Sequence, residues 1–237
     1  MLEKKLVSVK AVIFDMDGVI VNTMPFHASA WQKTFKKFGI NVTKKEIYLR
    51  EGEKWDKTFY DIAKRHNIKI TSTIKQKIFK HRQDVFRDML KVEPRAQAHG
   101  AESRIAPRKR DWCGVELFKD APPLIMKFKK MGLKLAIVTG TPRREVKQIL
   151  PKSIYAIFDV IIPSDEVKNG KPHPEPFLKA LERLKVSAKE AIVIENAPNG
   201  ILAAKKAKLT VIAVETSLPK KYLKDADFIL RSLSELL

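Results

Sequence analysis

Disulfides are the first thing this chain cannot have. Of its 237 residues one is cysteine, Cys113. A single thiol builds neither a disulfide framework nor a zinc site, which fits a reducing compartment. Long hydrophobic runs are missing too: no stretch approaches the roughly 20 apolar residues needed to span a bilayer. The opening MLEKKLVSVKAVIFDMDG has only a short apolar segment, which ends in aspartate with no small-residue cleavage site after it. It therefore does not read as a signal peptide. These absences predict a soluble, cytoplasmic protein with no membrane partner. In that setting the sequon Asn41-Val42-Thr43 goes unglycosylated, and Thr43 with Glu46 reads as a helix capping box.

Acidic charge is also scarce. There are 27 Asp and Glu against 47 Lys and Arg, a net charge of +20. Such an excess fits nucleic-acid binding, a field that gathers anionic substrates, or a lysine-rich surface of the kind found in heat-adapted proteins. The lysines are scattered over the polar faces of apparent helices. No basic run interleaves with aromatics as a single-strand stacking site requires, so nucleic acid is not the expected main partner.

What is present is ample core material: 44% hydrophobic residues, with 31% charged residues mixed in sign. That excludes a disordered chain and allows a large α/β domain, or a core plus a smaller domain. Val9 to Phe14 is a short β-branched run, read as a buried strand. From Phe26 to about Leu90 apolar residues recur at three- and four-residue spacing (Phe26, Trp31, Phe35, Phe38; Phe59, Ile62; Ile74, Ile78, Phe79, Val85, Phe86). This predicts an inserted helical subdomain. From about Ala121 helices and strands alternate. Strands are predicted at Leu133 to Val138, Phe158 to Ile162, Ala191 to Ile194, Thr210 to Val214 and Phe228 to Leu230. Helices are predicted at Pro122 to Met131, Pro142 to Leu150, Pro174 to Leu184 and Pro198 to Ala207. Alternation of this kind implies a parallel sheet covered on both faces, with chemistry at the carboxyl ends of its strands.

One segment is foreign in composition. Pro94 to Gly114 is rich in Ala, Arg and Gly, has one lysine (Lys109), and lacks helical or alternating period. It is flanked by Val92-Glu93 and Val115-Glu116, and exceeds ordinary loop length. The expected organisation is a core of residues 1–20 and 117–237, a helical cap of 21–92, and an insertion at 93–116.

Four short stretches end or follow predicted strands: Asp15-Met16-Asp17-Gly18, Thr139-Gly140-Thr141, Lys171-Pro172 and Glu195-Asn196. Together they put carboxylates, a hydroxyl and an ammonium around one crevice, which is what phosphoryl transfer requires. An anionic phosphoryl group repels an anionic nucleophile, so positive charge and in-line positioning must offset that repulsion. A magnesium ion held by oxygen ligands supplies both. Asp15 can offer one oxygen to the metal and attack phosphorus with the other. Asp17, after a turn eased by Gly18, can protonate the leaving oxygen and later activate water. On this reading the metal keeps Asp15 ionised, and the nearby like charge helps Asp17 keep its proton. Thr139 can bind phosphate, Lys171 can neutralise charge, and Glu195 and Asn196 can complete the metal shell. Each piece also has a structural reading: Asp-Gly as a turn, Thr139 as an N-cap, Lys171 as a solvated lysine, Glu195 as a partner for a helix dipole. Their joint order at strand ends favours the chemical one.

These phrases, with Val12-Ile13-Phe14-Asp15-Met16-Asp17-Gly18, Gly170-Lys171-Pro172-His173-Pro174 and Val193-Ile194-Glu195-Asn196, closely resemble the haloacid dehalogenase superfamily. The likeness is to its helical-cap branch, which includes β-phosphoglucomutase and phosphoglycolate phosphatase. The resemblance covers nearly all of the chain except Pro94 to Gly114. It implies a Rossmann-like parallel-sheet core with an inserted α-helical cap, an aspartyl-phosphate intermediate and Mg2+. By it Asp15 is the nucleophile and Asp17 the acid/base, Thr139, Lys171 and Gly140 face the phosphate, and Asp15, Asp17, Glu195 and Asn196 surround the metal. Phe26-His27 is similar to a hinge phrase of the mutases, which makes His27 a candidate substrate-site residue along with Lys54 and Arg82. Two departures stand out. Asn196 replaces an acidic residue, which predicts weaker magnesium binding. Trp55, between Lys54 and Lys57, stands where the mutases have an arginine for the distal phosphate, and lysine is not an equivalent substitute. The expectation is a phosphatase acting on a small phosphomonoester, a sugar phosphate or a phosphoglycolate-like compound. A hexose-phosphate mutase and a basic nucleic-acid-binding protein with a vestigial site are the alternatives.

Overall fold

The computed structural model describes residues 8–67, 71–90 and 115–237. Cys113 and residues 93–114 of the foreign segment lie outside the described residues. The first strand, β1 (Ala11–Phe14), leads into four cap helices, α1 (Met24–Lys36), α2 (Lys44–Tyr48), α3 (Trp55–Arg65) and α4 (Ser72–Leu90). The core then resumes with α5 (Ala121–Lys130), β2 (Lys134–Val138), α6 (Arg143–Ile149), a short α7 (Lys152–Tyr155) and β3 (Val160–Ile162). It closes with α8 (Glu175–Leu184), β4 (Ala191–Glu195), α9 (Pro198–Lys206), β5 (Thr210–Val214) and β6 (Phe228–Leu230).

The strands form one parallel sheet in the order β3-β2-β1-β4-β5-β6. The chain runs outward from β1 through β2 to β3, then returns past β1 to lay down the other half. The winding reverses at β1, so the crevice at its carboxyl end, between β2 and β4, is where such a sheet places a ligand. Val12 and Phe14 face Leu124, Ile125 and Phe128 of α5. Ala11 and Ile13 face Phe177 of α8 and Ile201 and Ala204 of α9. Burial on both faces is why the strands read as continuous apolar runs rather than alternating ones.

The cap has a separate core of Trp31, Phe35, Ile47, Phe59, Ile62 and Ile78. Trp31 stacks on Phe35 at 5.3 Å, and Phe35 on Phe59 at 6.2 Å. The far end of α4 leaves that cluster: Phe86 and Leu90 join the main core. The chain enters and leaves the cap side by side, with Val21 bridged antiparallel to Leu117 and the Asn22 N–H donating to the Glu116 carbonyl at 2.8 Å. The cap sits closely on the core. Gly52 has φ +79°, and a Cβ there would lie 2.6 Å from Lys171 Cδ; one on Gly140 would lie 3.2 Å from the Gly52 backbone. No helix among the described residues is long and apolar enough to cross a membrane.

Candidate active site

Asp15 follows β1 directly, and its N–H donates to the Ile194 carbonyl at 2.9 Å, which holds it level with the end of β4. Lys171, from the loop after β3, reaches back across the strand ends. Its ammonium lies 2.5 Å from Asp15 Oδ1, 2.6 Å from Glu195 Oε1 and 3.1 Å from the Val138 carbonyl. All three side chains are at most 3% exposed. Glu195 Oε2 accepts from the N–H groups of Asn196 (2.8 Å) and Ala197 (3.1 Å) at the start of α9. Gly200 makes the room, since a Cβ there would sit 1.6 Å from Glu195 Oε1. Burial works against the Lys171 charge, but Asp15 and Glu195 outweigh it and raise its pKa, so the ammonium stays protonated. Burial pushes the Asp15 carboxyl well above the usual range; the Lys171 charge pulls it back, while Glu195 and Asp17 add to the rise.

Asp17 is turned to the opposite side. Its Oδ1 accepts from Thr23 Oγ1 at 2.6 Å and His27 Nε2 at 3.1 Å; its Oδ2 accepts from Thr139 Oγ1 at 2.9 Å and Thr141 Oγ1 at 2.8 Å. Burial raises its pKa, but the hydrogen bonds from His27, Thr23 and Thr141 prevail and hold it well below the usual carboxylate range. The sequence reading expected Asp17 to hold a proton because of a like charge nearby. In this arrangement four donors stabilise the carboxylate instead, and it is Asp15 that burial pushes toward the neutral form. Thr23 precedes α1, yet its hydroxyl goes to Asp17 and makes no side-chain cap bond. Thr139 likewise does not cap α6, whose first turn follows Pro142; its hydroxyl is committed to Asp17.

The cap adds a second line of contacts. Arg82 Nη2 lies 2.6 Å from His27 Nδ1. A guanidinium only donates, so Nδ1 accepts and Nε2 carries the hydrogen that goes to Asp17. Phe86 stacks on the His27 ring at 4.4 Å. Arg82 also pairs with Glu145 of α6 at 3.6 Å. A cavity of about 80 Å³ lies between cap and core, lined among others by Asp15, Asp17, His27, Arg82, Gly140 and Trp55. Lys54 does not line it: its ammonium donates to the Val167 carbonyl at 2.5 Å, tying cap to core. Thr139, Lys171, Glu195 and Asn196 do not line it either. The sequence reading missed Thr23, Thr141 and Glu51. Thr141 stands in a phrase already singled out, and Glu51 immediately precedes Gly52. Glu51 is buried, and its carboxylate accepts from Asn196 Nδ2 at 3.0 Å on each oxygen. Burial, with Asp15 and Glu195 nearby, raises its pKa well above the usual range.

Among the described residues no three His, Cys, Asp or Glu side chains form a ready-made metal shell. Four side-chain oxygens are nevertheless buried without a hydrogen-bond partner among the described residues: Thr34 Oγ1, Glu145 Oε2, which pairs with Arg82, and, at the strand ends, Asp15 Oδ2 and Asn196 Oδ1. Orphaned acceptors are costly, and a carboxylate with an amide oxygen suits a magnesium ion, which takes few protein ligands and keeps several waters. The residues present fit such an ion.

A model of the haloacid dehalogenase-like hydrolases matches residues 12–214. The chain is 29% identical over 209 residues to a phosphorylated carbohydrates phosphatase of Thermotoga maritima, covering 84% of this chain and 81% of that one. It is 27% identical over 227 residues to a validoxylamine A 7'-phosphate phosphatase of Streptomyces hygroscopicus subsp. limoneus, covering 95% of each. Among solved structures, a putative β-phosphoglucomutase from Bacteroides vulgatus superposes with a TM-score of 0.78 at 29% identity, covering 97% of this chain and 86% of that one. The match spans β1 through β5, the cap and all four strand-end stretches, and the chain belongs to the haloacid dehalogenase-like hydrolase family.

Proposed function

We propose that this protein is a magnesium-dependent phosphatase that hydrolyses a small phosphomonoester through a phosphorylated Asp15. The observation that carries the reading is the Asp15 carboxylate: fixed at the end of β1, bonded on one oxygen to Lys171, and free on the other. Bound magnesium, held by Asp15 and Asn196 with Glu195 close by, would neutralise the approaching phosphoryl group. Asp15 attacks phosphorus and the ester oxygen leaves. Lys171 offsets charge on Asp15 and the phosphoryl oxygens. Asp17, which lines the same cavity, gives a proton to the leaving oxygen and then takes one from the attacking water. To give one it must first acquire it, which requires release from its four donors. The cavity of about 80 Å³ has room for only a handful of waters, so on this reading the cap lifts to admit substrate and recloses over it.

The resemblance to mutases raises a second reading, which the cap disfavours. A mutase must grip a second phosphate. Where the mutases have an arginine, Trp55 stacks on Phe79 at 3.7 Å. The cavity-lining arginines are already engaged: Arg50 with Glu53 and Asp61, each at 3.1 Å, and Arg82 with His27 and Glu145. Phosphate release from a panel of phosphomonoesters, including β-glucose 1-phosphate with its bisphosphate, tests this with and without magnesium. The expected result is magnesium-dependent release that Asp15→Asn lowers by at least about 10⁴-fold. Equal release by the variant would refute the mechanism, and isomer formation without phosphate release would establish the mutase.

A further inference from the structure

Asn196 raises a problem of charge. By the resemblance it stands where the family's pattern has an acid, and an amide in that place brings one negative charge fewer from the core to the metal site. The carboxylate reaching Asn196 comes from the other part of the molecule. Glu51 lies in the turn between α2 and α3 of the cap, with its N–H bonded to the Tyr48 carbonyl at 3.2 Å. Both its oxygens lie 3.0 Å from Asn196 Nδ2, and the residue is 8% exposed. Asn196 Nδ2 also donates to Ser217 Oγ at 2.8 Å. Gly18 allows this amide its place, since a Cβ there would lie 2.1 Å from Asn196 Nδ2.

Among the described residues the Glu51 carboxylate has no lysine, arginine or histidine partner, although Asp15 and Glu195 share Lys171 and Asp17 has His27. A buried carboxylate served by one neutral amide is poorly compensated. Beside it are two of the buried oxygens that lack a hydrogen-bond partner, Asp15 Oδ2 and Asn196 Oδ1. Two orphaned core oxygens and a cap carboxylate compensated by one neutral amide therefore lie around one crevice, where a single cation would satisfy them.

We infer that Glu51 is a ligand of the metal site, directly or through a metal-bound water, and supplies from the cap the negative charge that Asn196 does not supply from the core. This rests on the proposed magnesium-dependent reading and adds a consequence. Because one ligand belongs to the cap, metal binding and cap closure are thermodynamically linked, each favouring the other. The site is complete only when the cap is seated, so the aspartyl group is fully charge-balanced only in the enclosed state.

Calorimetric titration with magnesium chloride, in the absence of substrate, tests the assignment on the full chain, with melting temperatures measured with and without the ion. Glu51→Gln is expected to weaken magnesium binding by at least about tenfold, to leave the metal-free melting temperature unchanged or higher, and to diminish the magnesium-induced protection of cap amides from hydrogen exchange. Adding Asn196→Asp to that variant is expected to restore the affinity, since the charge then comes from the core, but not the cap protection. Wild-type affinity in Glu51→Gln would overturn the inference while leaving the phosphatase reading intact. No magnesium binding by the wild type would overturn both. If Glu51→Gln does not fold, Asn196→Asp alone decides: it should lower the metal-free melting temperature, by facing Glu51 with a like charge, and enlarge the magnesium-induced rise. An unchanged rise would refute the role of Glu51.

Discussion

The core and the cap place polar side chains by different means. In the core, strand register does it: Phe14 is level with both Ile137 and Ile194, so Asp15 and Glu195, one residue beyond, and Thr139, two beyond, emerge together at the carboxyl end of the sheet. In the cap, helix packing does it. Glu51, Arg82 and His27 come from a turn and two helices far apart in sequence, and meet the core because Gly52 seats against Gly140 and Lys171. A strand end is a fixed address, whereas a cap residue reaches the site only if the cap docks. Substitutions in the core should therefore strike chemistry and stability together, while those in the cap should separate them.

The largest effect is expected for Lys171→Met. It strands Asp15 and Glu195 as buried carboxylates without their shared cation, which should cost about 3–5 kcal/mol and abolish phosphate release; urea unfolding and the phosphate assay measure the two losses. Phe35→Ala in the cap should cost about 3 kcal/mol or a little more by opening a cavity between Trp31 and Phe59. Hydrogen exchange should then rise in α1, α3 and α4 while the β1, β2 and β4 amides keep their protection. Equal loss in the sheet would break the contrast between the two regions. Gly52→Ala forces a positive φ and a Cβ onto Lys171. It should cost about 1–2 kcal/mol and lower kcat/KM by more than about tenfold, with the core melting transition little moved.

The smallest effect is at the edge of the core. Asp159 accepts from Lys129 Nζ and from the Leu135 N–H at the start of β2. Partial burial raises its pKa, but these bonds prevail and hold it below the usual range. A carboxylate depressed in the folded state contributes stability above its unfolded pKa, near 4, and loses that contribution as pH falls through the lower folded value. Since the side chain is 40% exposed, solvent screens the pair and the effect should stay under about 1 kcal/mol. Asp159→Asn should remove it, flattening the pH dependence of the melting temperature between about pH 2 and 5.

The core strands were legible because each is a short β-branched run bounded by turn residues. The misplaced boundaries have local causes. The first strand pairs only from Ala11, although the Lys10 N–H already bonds to the Glu190 carbonyl. The third begins at Val160 because Phe158 turns onto Phe14 at 5.9 Å and Asp159 anchors β2. The capping box at Thr43 is half formed: Thr43 accepts from the Glu46 N–H, but the Glu46 carboxylate goes to Arg65. At the site, spacing alone identified the strand-end residues. It could not show that Thr139 serves Asp17, that Lys54 is spent on the Val167 carbonyl, or that Glu51 meets Asn196 across 145 positions.

By itself the sequence determined the parallel sheet, the inserted helical cap and the carboxylate, hydroxyl and ammonium groups at the strand ends, because hydrophobic period and residue order along the chain encode local structure. Which hydroxyls hold Asp17, which cations are already paired, and which cap residues face the crevice were decided only by the tertiary structure. Those outcomes depend on how the cap docks, and docking follows from complementary surfaces that no short stretch of sequence contains.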